Sequence, residues 1–395
     1  MTRVGIVLCG LCVSLGAVAQ QTSIRSGLDA TGPAMRLRPA WGTTVYVNEA
    51  FAFHPRDFGQ CRAEQGLVVC GVKTGEVVAL TADAGRVLWR FPARGAVRAR
   101  PAIEHRQVYV GSADGCLYRL AVEDGRPTWE KPFCTDAAIE GDPVVVEAGD
   151  AEATQGSDAA GAGAGPLVLF ATMINKVYAV RAADGAFVWE YHRDRPQFLS
   201  SEGVASPVVA GDRVYAGFSD GNVAALSWRT GQPAWVTNLA SDPRKATDVD
   251  VSPLVDGDTV YAASFARGPV AIQASDGRPI WQGTWFGVTR PILRGDLLVF
   301  GTADGEVIAA RKTDARVVYR TRLGARGAAY PPVLVRGVIV AGHDRGLYVL
   351  DGTDLAPLEV LSIPMGVFTA PEVQRSRLFF VGAGGSILAV DVLPR

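Results

Sequence analysis

Short runs of alternating apolar and polar residues, separated by glycine turns, make up most of this chain. One copy shows the unit: an apolar run over residues 101–110, a turn ending at Gly115, a second run over 116–120, and a turn at Gly125 that precedes Trp129. Alternation with a period of two is typical of β-strands that bury one face, and Asp-Gly turns favour hairpins. Each copy therefore predicts four antiparallel strands.

The unit recurs with a period of about 40 to 47 residues, and no helical pattern lies between the copies. In five copies a tryptophan follows the turn glycine by four residues: Gly85 to Trp89, Gly125 to Trp129, Gly185 to Trp189, Gly231 to Trp235 and Gly277 to Trp281. A β-rich repeat of this length predicts an all-β fold in which four-stranded blades are arranged radially, a β-propeller.

The two ends of the chain predict how the ring closes. The last copy, residues 371–393, has three strand patterns instead of four. Near the start, Leu37 to Trp41 repeats the spacing from turn to tryptophan without the rest of a copy. We expect this N-terminal strand to complete the last blade, so that residues 36–395 form an eight-bladed propeller of antiparallel blades. Closure of this kind protects the ends of a repeat array.

Two segments fall outside the repeat. Residues 147–165 are rich in glycine, alanine and acidic residues with almost no large apolar side chains, which predicts a flexible surface insertion in the third blade. Residues 1–19 carry one arginine, an apolar stretch and an Ala-Val-Ala end, which is typical of a signal peptide and too short for a comfortable membrane span. Residues 20–35 would then be a linker, and the mature protein would be periplasmic. Neither cysteine of the leader follows the small residue that lipidation needs, so no lipid anchor is expected.

Four cysteines remain in the mature region. Cys61 and Cys70 lie symmetrically about a Gln-Gly turn, and Cys116 and Cys134 lie symmetrically about Gly125. Opposed residues on paired strands bring their β-carbons close enough for a disulfide, and an exported chain meets an oxidising compartment. We therefore predict two disulfides, Cys61 to Cys70 and Cys116 to Cys134; four buried free thiols are the alternative.

Composition and spacing favour no catalytic, metal or cofactor site. The chain has 39 basic and 40 acidic residues, a net charge of −1, and no concentrated positive field for nucleic acid or anionic lipid. The histidines have no partner at metal-ligand spacing: they are His54, His105, His192 and His343.

The segments that precede the first strand of each blade are more informative, because in a propeller they line one mouth of the central channel. Two of them carry arginines, Arg100 and Arg290, and others carry Asp142, Asp248 and Asp250. Mixed charge of this kind suits a protein partner better than a polyanion. A solvated face with no partner is the alternative.

The repeat resembles the PQQ-type propeller repeat, and one segment is similar to the outer-membrane protein assembly factor BamB family. This segment is Thr-Asp-Val-Asp-Val-Ser-Pro at residues 247–253, followed by Val-Tyr-Ala-Ala-Ser-Phe at 260–265. The resemblance implies a non-catalytic scaffold, monomeric within a complex, that assists the assembly and insertion of outer-membrane β-barrel proteins. It also implies that Asp248 and Asp250 contact a BamA-like partner. In the preceding rim loop Leu199 matches a leucine of the family, whereas Glu202 stands where the family has an arginine.

Other functions stay open at this point. The enzymes of the superfamily are oxidoreductases that use the quinone PQQ, and they typically have an adjacent cysteine pair that this sequence lacks. No cofactor is therefore expected, but a quinone-dependent or small-ligand-binding propeller remains an alternative, as does an envelope scaffold outside the barrel-assembly machinery. Trp285, Phe286 and Tyr330 either extend the rim surface or pack between blades.

Overall fold

A computed structural model describes residues 35–47, 57–147, 165–194, 204–239, 248–264, 268–382 and 384–394. Within these ranges every regular element is a β-strand, and no helix there could cross a membrane. The strands form eight four-stranded antiparallel sheets, which confirms the predicted eight-bladed propeller. The proposed leader, the proposed linker except Met35, most of the insertion, His54, Leu199 and Glu202 lie outside the described residues. Met35 is the first residue of strand β1 (Met35–Thr44).

The blades follow one another along the chain, and in each the first strand is innermost, next to the central channel. Blades 1 to 4 comprise β2 (Cys61–Glu64), β3 (Leu67–Gly71), β4 (Glu76–Thr81) and β5 (Val87–Pro92); β6 (Ala102–Glu104), β7 (Gln107–Gly111), β8 (Cys116–Ala121) and β9 (Phe133–Cys134); β10 (Val144–Val146), β11 (Leu167–Thr172), β12 (Lys176–Arg181) and β13 (Phe187–His192); and β14 (Val208–Ala210), β15 (Arg213–Gly217), β16 (Asn222–Ser227) and β17 (Pro233–Asn238). Blades 5 to 7 comprise β18 (Val251–Asp256), β19 (Thr259–Ser264), β20 (Gly268–Gln273) and β21 (Pro279–Gln282); β22 (Ile292–Arg294), β23 (Leu297–Gly301), β24 (Glu306–Arg311) and β25 (Val317–Arg322); and β26 (Val333–Val335), β27 (Val338–His343), β28 (Gly346–Asp351) and β29 (Pro357–Ser362).

Blade 8 combines both ends of the chain. Its inner strands are β30 (Glu372–Gln374), β31 (Arg377–Gly382) and β32 (Ser386–Pro394), and its outer strand is β1 (Met35–Thr44). β1 pairs antiparallel with β32 from Met35 opposite Pro394 to Thr44 opposite Ser386, with a bulge between Pro39 and Trp41. The structure thus confirms that the N-terminal strand closes the ring.

One contact explains why glycine and tryptophan repeat together. Gly231 ends the outer turn of blade 4 with a φ of +72°, and a Cβ there would lie 2.6 Å from the indole of Trp189 in blade 3. The indole nitrogen of Trp189 donates to the carbonyl of Trp228, at 2.9 Å. Each tryptophan therefore ties its own blade to the next one. The same contact joins Trp41 to Gly85, Trp89 to Gly125, Trp129 to Gly185 and Trp235 to Gly277.

Both predicted disulfides are present. Cys61 lies opposite Cys70 on β2 and β3, and Cys116 lies opposite Cys134 on β8 and β9. The second bond closes a blade whose outer strand, β9, is only two residues long. Prolines before β9 lack the amide hydrogen that a longer strand pairing would use. The disulfide therefore reinforces the weakest outer strand of the propeller.

Candidate interaction surface at the channel mouth

The segments that lead into blades 2, 3 and 5 are each held against the preceding blade by a close packing contact. Before blade 5, the side chain of Val249 packs on Gly217, where a Cβ would lie 2.5 Å from the Val249 Cγ1. The amide of Val249 also donates to the carbonyl of Phe218, at 3.1 Å. Because Val249 is anchored in this way, the backbone on either side of it has a fixed position at the channel mouth.

Asp248 and Asp250 flank this anchor, immediately before β18 begins at Val251. The sequence pattern does not distinguish the two carboxylates, but the structure places them in different surroundings. Asp248 is only 1% exposed, whereas Asp250 is partly exposed. Asp250 is thus the member of the pair that is presented to solvent.

Blades 2 and 3 have an ion pair at the position that Asp250 occupies in blade 5. The Nη1 of Arg98 lies 2.6 Å from the Oε1 of Glu140, and the Arg98 side chain is partly exposed. Partial exposure weakens such a pair, but the two charges still compensate one another locally. At this position blades 2 and 3 therefore carry two opposite charges that pair with each other, and blade 5 carries a carboxylate.

In blades 2 to 5, hydrogen bonds also link the residues that stand immediately before the proline of each lead-in segment. The amide of Arg100 donates to the Oδ1 of Asp142 at 2.8 Å, and the amide of Asp142 donates to the Oγ of Ser206 at 2.8 Å. The amide of Ser206 then donates to the Oγ of Ser252 at 3.0 Å. In blades 2 to 5 these residues precede a proline, so the sequence does mark the position, but the inter-blade bonds appear only in the fold.

Two polar residues that the sequence did not single out complete this part of the channel. The Nη1 of Arg100 lies 3.2 Å from the Oε2 of Glu372, and its Nη2 donates to the Oε1 of Gln60 at 3.3 Å. Glu372 is buried and also accepts from the amide of Ala63 at 3.2 Å. Blades 1, 2 and 8 are thereby joined by a polar network around the guanidinium of Arg100.

Aromatic side chains pack between the segments that lead into blades 7, 8 and 1. The rings of Tyr330 and Phe368 pack edge to face with centroids 5.2 Å apart, and Phe368 packs in turn on Phe58 at 6.0 Å. The Tyr330 ring therefore takes part in packing between blades. Trp285 packs against Phe300 at 5.4 Å, whereas Phe286 is 49% exposed.

Within the described ranges, no group of three His, Cys, Asp or Glu side chains is placed to hold a metal ion. The described lining of the mouth is instead a set of arginines, carboxylates, hydroxyls and one amide, held by inter-blade hydrogen bonds. Such an arrangement can bind charged or polar groups of another molecule.

The sequence and the fold of this chain are both similar to those of known proteins. A protein from Burkholderia pseudomallei, described as outer membrane protein assembly factor BamB, is 24% identical over 371 residues, which span 89% of each chain. The crystal structure of BamB from Moraxella catarrhalis superposes with a TM-score of 0.74 at 18% identity and covers 90% of this chain and all of that one, which shows the shared fold. A quinohemoprotein alcohol dehydrogenase from Pseudomonas putida is 28% identical over 123 residues, but these cover only 30% of this chain and 15% of the dehydrogenase.

The family profile described as outer membrane protein assembly factor BamB matches residues 54–191, 131–321 and 266–358. These overlapping matches extend over most of the propeller. The chain therefore belongs to the outer membrane protein assembly factor BamB family.

Proposed function

We propose that this protein is a non-catalytic periplasmic scaffold that assists the assembly of outer-membrane β-barrel proteins by binding a BamA-like partner. The observation that carries the proposal is the loop of Asp248 and Asp250, which is anchored at the channel mouth by Val249. Family membership supplies the context, because the relatives are described as outer membrane protein assembly factors.

The two aspartates have different roles in this proposal. Asp250 is partly exposed and contacts a basic group of the partner, while the buried Asp248 holds the loop in the binding conformation. Leu199 adds an apolar contact from the preceding rim loop. Complementary charge at an interface mainly sets specificity and association rate, so one exposed carboxylate at a fixed position has a large effect on partner choice.

Periplasmic localisation rests on the leader pattern of residues 1–19. Two disulfides support it, because such bonds persist in oxidising compartments and are rare in the cytosol. In this proposal the protein is a monomer within a larger complex and reaches the outer membrane through its partner.

The test is a charge reversal at Asp250 with a matched control in the same blade. Asp258 lies in the exposed turn between β18 and β19, at the far end of blade 5 from the mouth. We expect Asp250→Lys to weaken binding to the purified periplasmic domains of the BamA-like protein at least tenfold, as interface hot spots do, and Asp258→Lys to leave it unchanged. Biolayer interferometry measures both affinities, and circular dichroism verifies that both variants are folded. Equal binding by Asp250→Lys and the unmodified protein would refute the assignment of the site.

A quinone-dependent oxidoreductase is the second candidate, supported by the partial match to the quinohemoprotein dehydrogenase. The match covers a minor part of both chains, and the sequence has no adjacent cysteine pair. Titration with pyrroloquinoline quinone and calcium separates the two functions, because the scaffold predicts no saturable change in the absorbance of the quinone.

A further inference from the structure

At several joints between blades, an arginine of one blade is bonded to the outer turn of the next blade, the turn between its third and fourth strands. The guanidinium donates to the backbone carbonyl two residues before the end of that turn. Four joints share this contact, which runs from Arg377 to Asp83 at 3.1 Å, from Arg119 to Ala183 at 3.3 Å, from Arg213 to Ser275 at 3.1 Å and from Arg294 to Thr353 at 3.1 Å. Arginine side chains of the chain itself therefore fill the space beside this carbonyl repeatedly.

The joint between blades 4 and 5 shows what surrounds such an arginine. The rings of Tyr215 and Trp235 lie 6.0 Å apart, and the indole nitrogen of Trp235 donates to the carbonyl of Ala274 at 2.8 Å. The Nη1 of Arg213 donates to the same carbonyl, also at 2.8 Å. The arginine therefore completes this joint together with the two rings, and Trp235 is only 8% exposed.

The joint between blades 5 and 6 has the same two rings, but a threonine in place of the arginine. The rings of Tyr261 and Trp281 also lie 6.0 Å apart, and the indole nitrogen of Trp281 donates to the carbonyl of Lys312 at 2.9 Å. Thr259 stands where blade 4 has Arg213, as the first residue of the second strand. Trp281 is only partly buried, whereas the other four tryptophans that follow a turn glycine are 5% to 8% exposed.

A groove of about 430 Å³ opens at this joint. Its apolar lining includes Tyr261, Trp281 and Ile280, and the Ile280 side chain is 48% exposed. Thr313 also lines the groove and has the turn position whose carbonyl accepts from an arginine at the four other joints. The groove therefore combines an aromatic wall with the acceptor that arginine uses elsewhere in the ring.

One end of the groove is charged. The Nζ of Lys312 lies 2.8 Å from the Oδ2 of Asp256 and 3.8 Å from the Oδ1 of Asp296, so two carboxylates compensate this ammonium. The bond to Lys312 uses Oδ2 of Asp256, and the other oxygen, Oδ1, has no bond to any residue that the structure describes. The surrounding turns carry exposed acidic and basic residues in equal number: Asp258, Asp276, Asp314, Arg278, Arg311 and Arg316. Preference for a cation therefore comes from the acceptors in the groove and not from a net field.

A guanidinium fits these features. Its planar fork donates to carbonyl and carboxylate oxygens at once, and its face stacks on aromatic rings. The aliphatic stem of an arginine packs on apolar surface such as Ile280 while the charged end stays hydrated. The groove lies on the face of the outer turns, opposite the channel mouth, because the outer turn and the following lead-in segment are at opposite ends of the fourth strand.

We propose that this groove binds an arginine side chain of a second protein, which takes the place that the chain's own arginines fill at four other joints. The guanidinium donates to the carbonyl of Thr313 and to Asp256, and it lies against the rings of Tyr261 and Trp281. The site is on the opposite face from the Asp250 loop, so it does not depend on the BamA-like partner.

Titration of the full mature protein with a blocked arginine, N-acetyl-arginine amide, tests the groove. The readout is the indole N–H resonance of Trp281 in a nitrogen–proton correlation spectrum, assigned with Trp281→Phe. We expect a saturable shift of this resonance. Blocked citrulline has the same shape without the charge, so it should bind at least about tenfold more weakly. Asp256→Asn should weaken binding of the blocked arginine at least about threefold, because a neutral amide replaces the charged acceptor.

Thr259→Arg is the decisive variant, because it supplies the missing arginine within the chain. We expect it to abolish binding of the blocked arginine and to raise the thermal midpoint, since the new side chain makes the bonds that Arg213 makes at the preceding joint. Thr230→Arg is the matched control: it adds the same charge in the exposed outer turn of blade 4 and should keep the affinity within about twofold.

No saturable shift with the blocked arginine, equal binding of blocked citrulline, or unchanged binding by Thr259→Arg would each overturn the proposal. Circular dichroism verifies that the variants are folded. If Thr259→Arg does not fold, Asp256→Asn takes its place, and an unchanged affinity of that variant would equally contradict the site. The Asp250→Lys variant separates this site from the partner function, because it should bind the blocked arginine normally while binding the BamA-like partner poorly.

Discussion

A few polar side chains are buried within the largely apolar interior of the blades, and His343 is one of them. His343 ends β27 and is fully buried, with its ring packed edge to face on Tyr348 at 5.4 Å. Its Nδ1 accepts a hydrogen bond from the amide of Arg345 at 3.2 Å, which requires that nitrogen to be unprotonated. In the sequence His343 was one of four scattered histidines, and nothing local marked it as buried.

Burial of His343 predicts acid sensitivity. Desolvation lowers the pKa of its imidazole, while the charge of Asp344 opposes the shift and that of Arg345 adds to it. The unfolded chain, with an ordinary histidine pKa of about 6.5, binds the proton more readily than the folded chain below that pH. The contribution of neutral His343 to stability is therefore complete above about pH 6.5 and is lost as the pH falls toward its folded pKa.

His343→Gln should consequently show a smaller fall in thermal midpoint than the unmodified protein between about pH 7.5 and 5.5. His105→Gln is the control, since the His105 side chain is largely exposed beside Glu147. Differential scanning calorimetry at both pH values measures the effect. An unchanged pH dependence in His343→Gln would show that other groups cause the acid sensitivity.

At the scale of elements, the strands of a blade are joined to the next blade by the tryptophan and glycine contact. The sequence pairs Gly85 with Trp89 by their spacing within one blade, but in the structure Trp89 packs on Gly125 of the following blade. The indole nitrogen of Trp89 donates to the carbonyl of Val122 at 2.8 Å, also in that blade. The repeated pair is therefore a signature of inter-blade contact.

Gly231→Ala tests this contact. The new methyl group would meet the indole of Trp189 at 2.6 Å, and the residue has a φ of +72°. Left-handed backbone costs a non-glycine residue about 1 to 2 kcal/mol, and overpacking adds about 1 to 3 kcal/mol. The control is Gly211→Ala, where φ is +59° but no atom lies within 4 Å of the new methyl group. We expect the free energy of unfolding, measured in urea, to fall clearly further for Gly231→Ala. Equal losses would mean that the backbone conformation alone requires glycine.

At the scale of the whole molecule, the ring depends on one strand from the start of the chain. Leu37 of β1 is 1% exposed and packs in the core between blades 7 and 8. Its amide donates to the Oε2 of Glu359 in blade 7, at 2.7 Å. β1 therefore completes blade 8 and also joins it to blade 7. The place where the two ends of the chain meet, the seam of the ring, is thus packed like the other contacts between blades.

Leu37→Ala should destabilise the protein by about 2 to 5 kcal/mol, the usual cost of removing a buried leucine side chain. Arg38→Ala, at the adjacent exposed position of β1, should change stability by less than about 0.5 kcal/mol. Chemical denaturation measures both losses, and hydrogen exchange should show faster exchange of the β32 amides in Leu37→Ala. If Leu37→Ala were as stable as Arg38→Ala, β1 would not be an essential part of the seam.

The sequence alone determined the strand pattern, the eight blades, the closing strand and both disulfides. Each follows from a local rule: apolar residues alternate, turns need glycine, and Cys61 and Cys70 lie symmetrically about one turn. These features depend on neighbours along the chain, so they can be read without the fold.

Only the tertiary structure decided which side chains meet at the channel and which are buried. Arg100 and Glu372 are 272 residues apart, Gln60 and Asp142 are 82 apart, and all four meet because the ring brings the lead-in segments together. The same geometry buries Asp248, exposes Asp250 and leaves Arg290 without a partner among the described residues. Burial and pairing depend on the distances between blades, and those distances do not exist until the ring has closed.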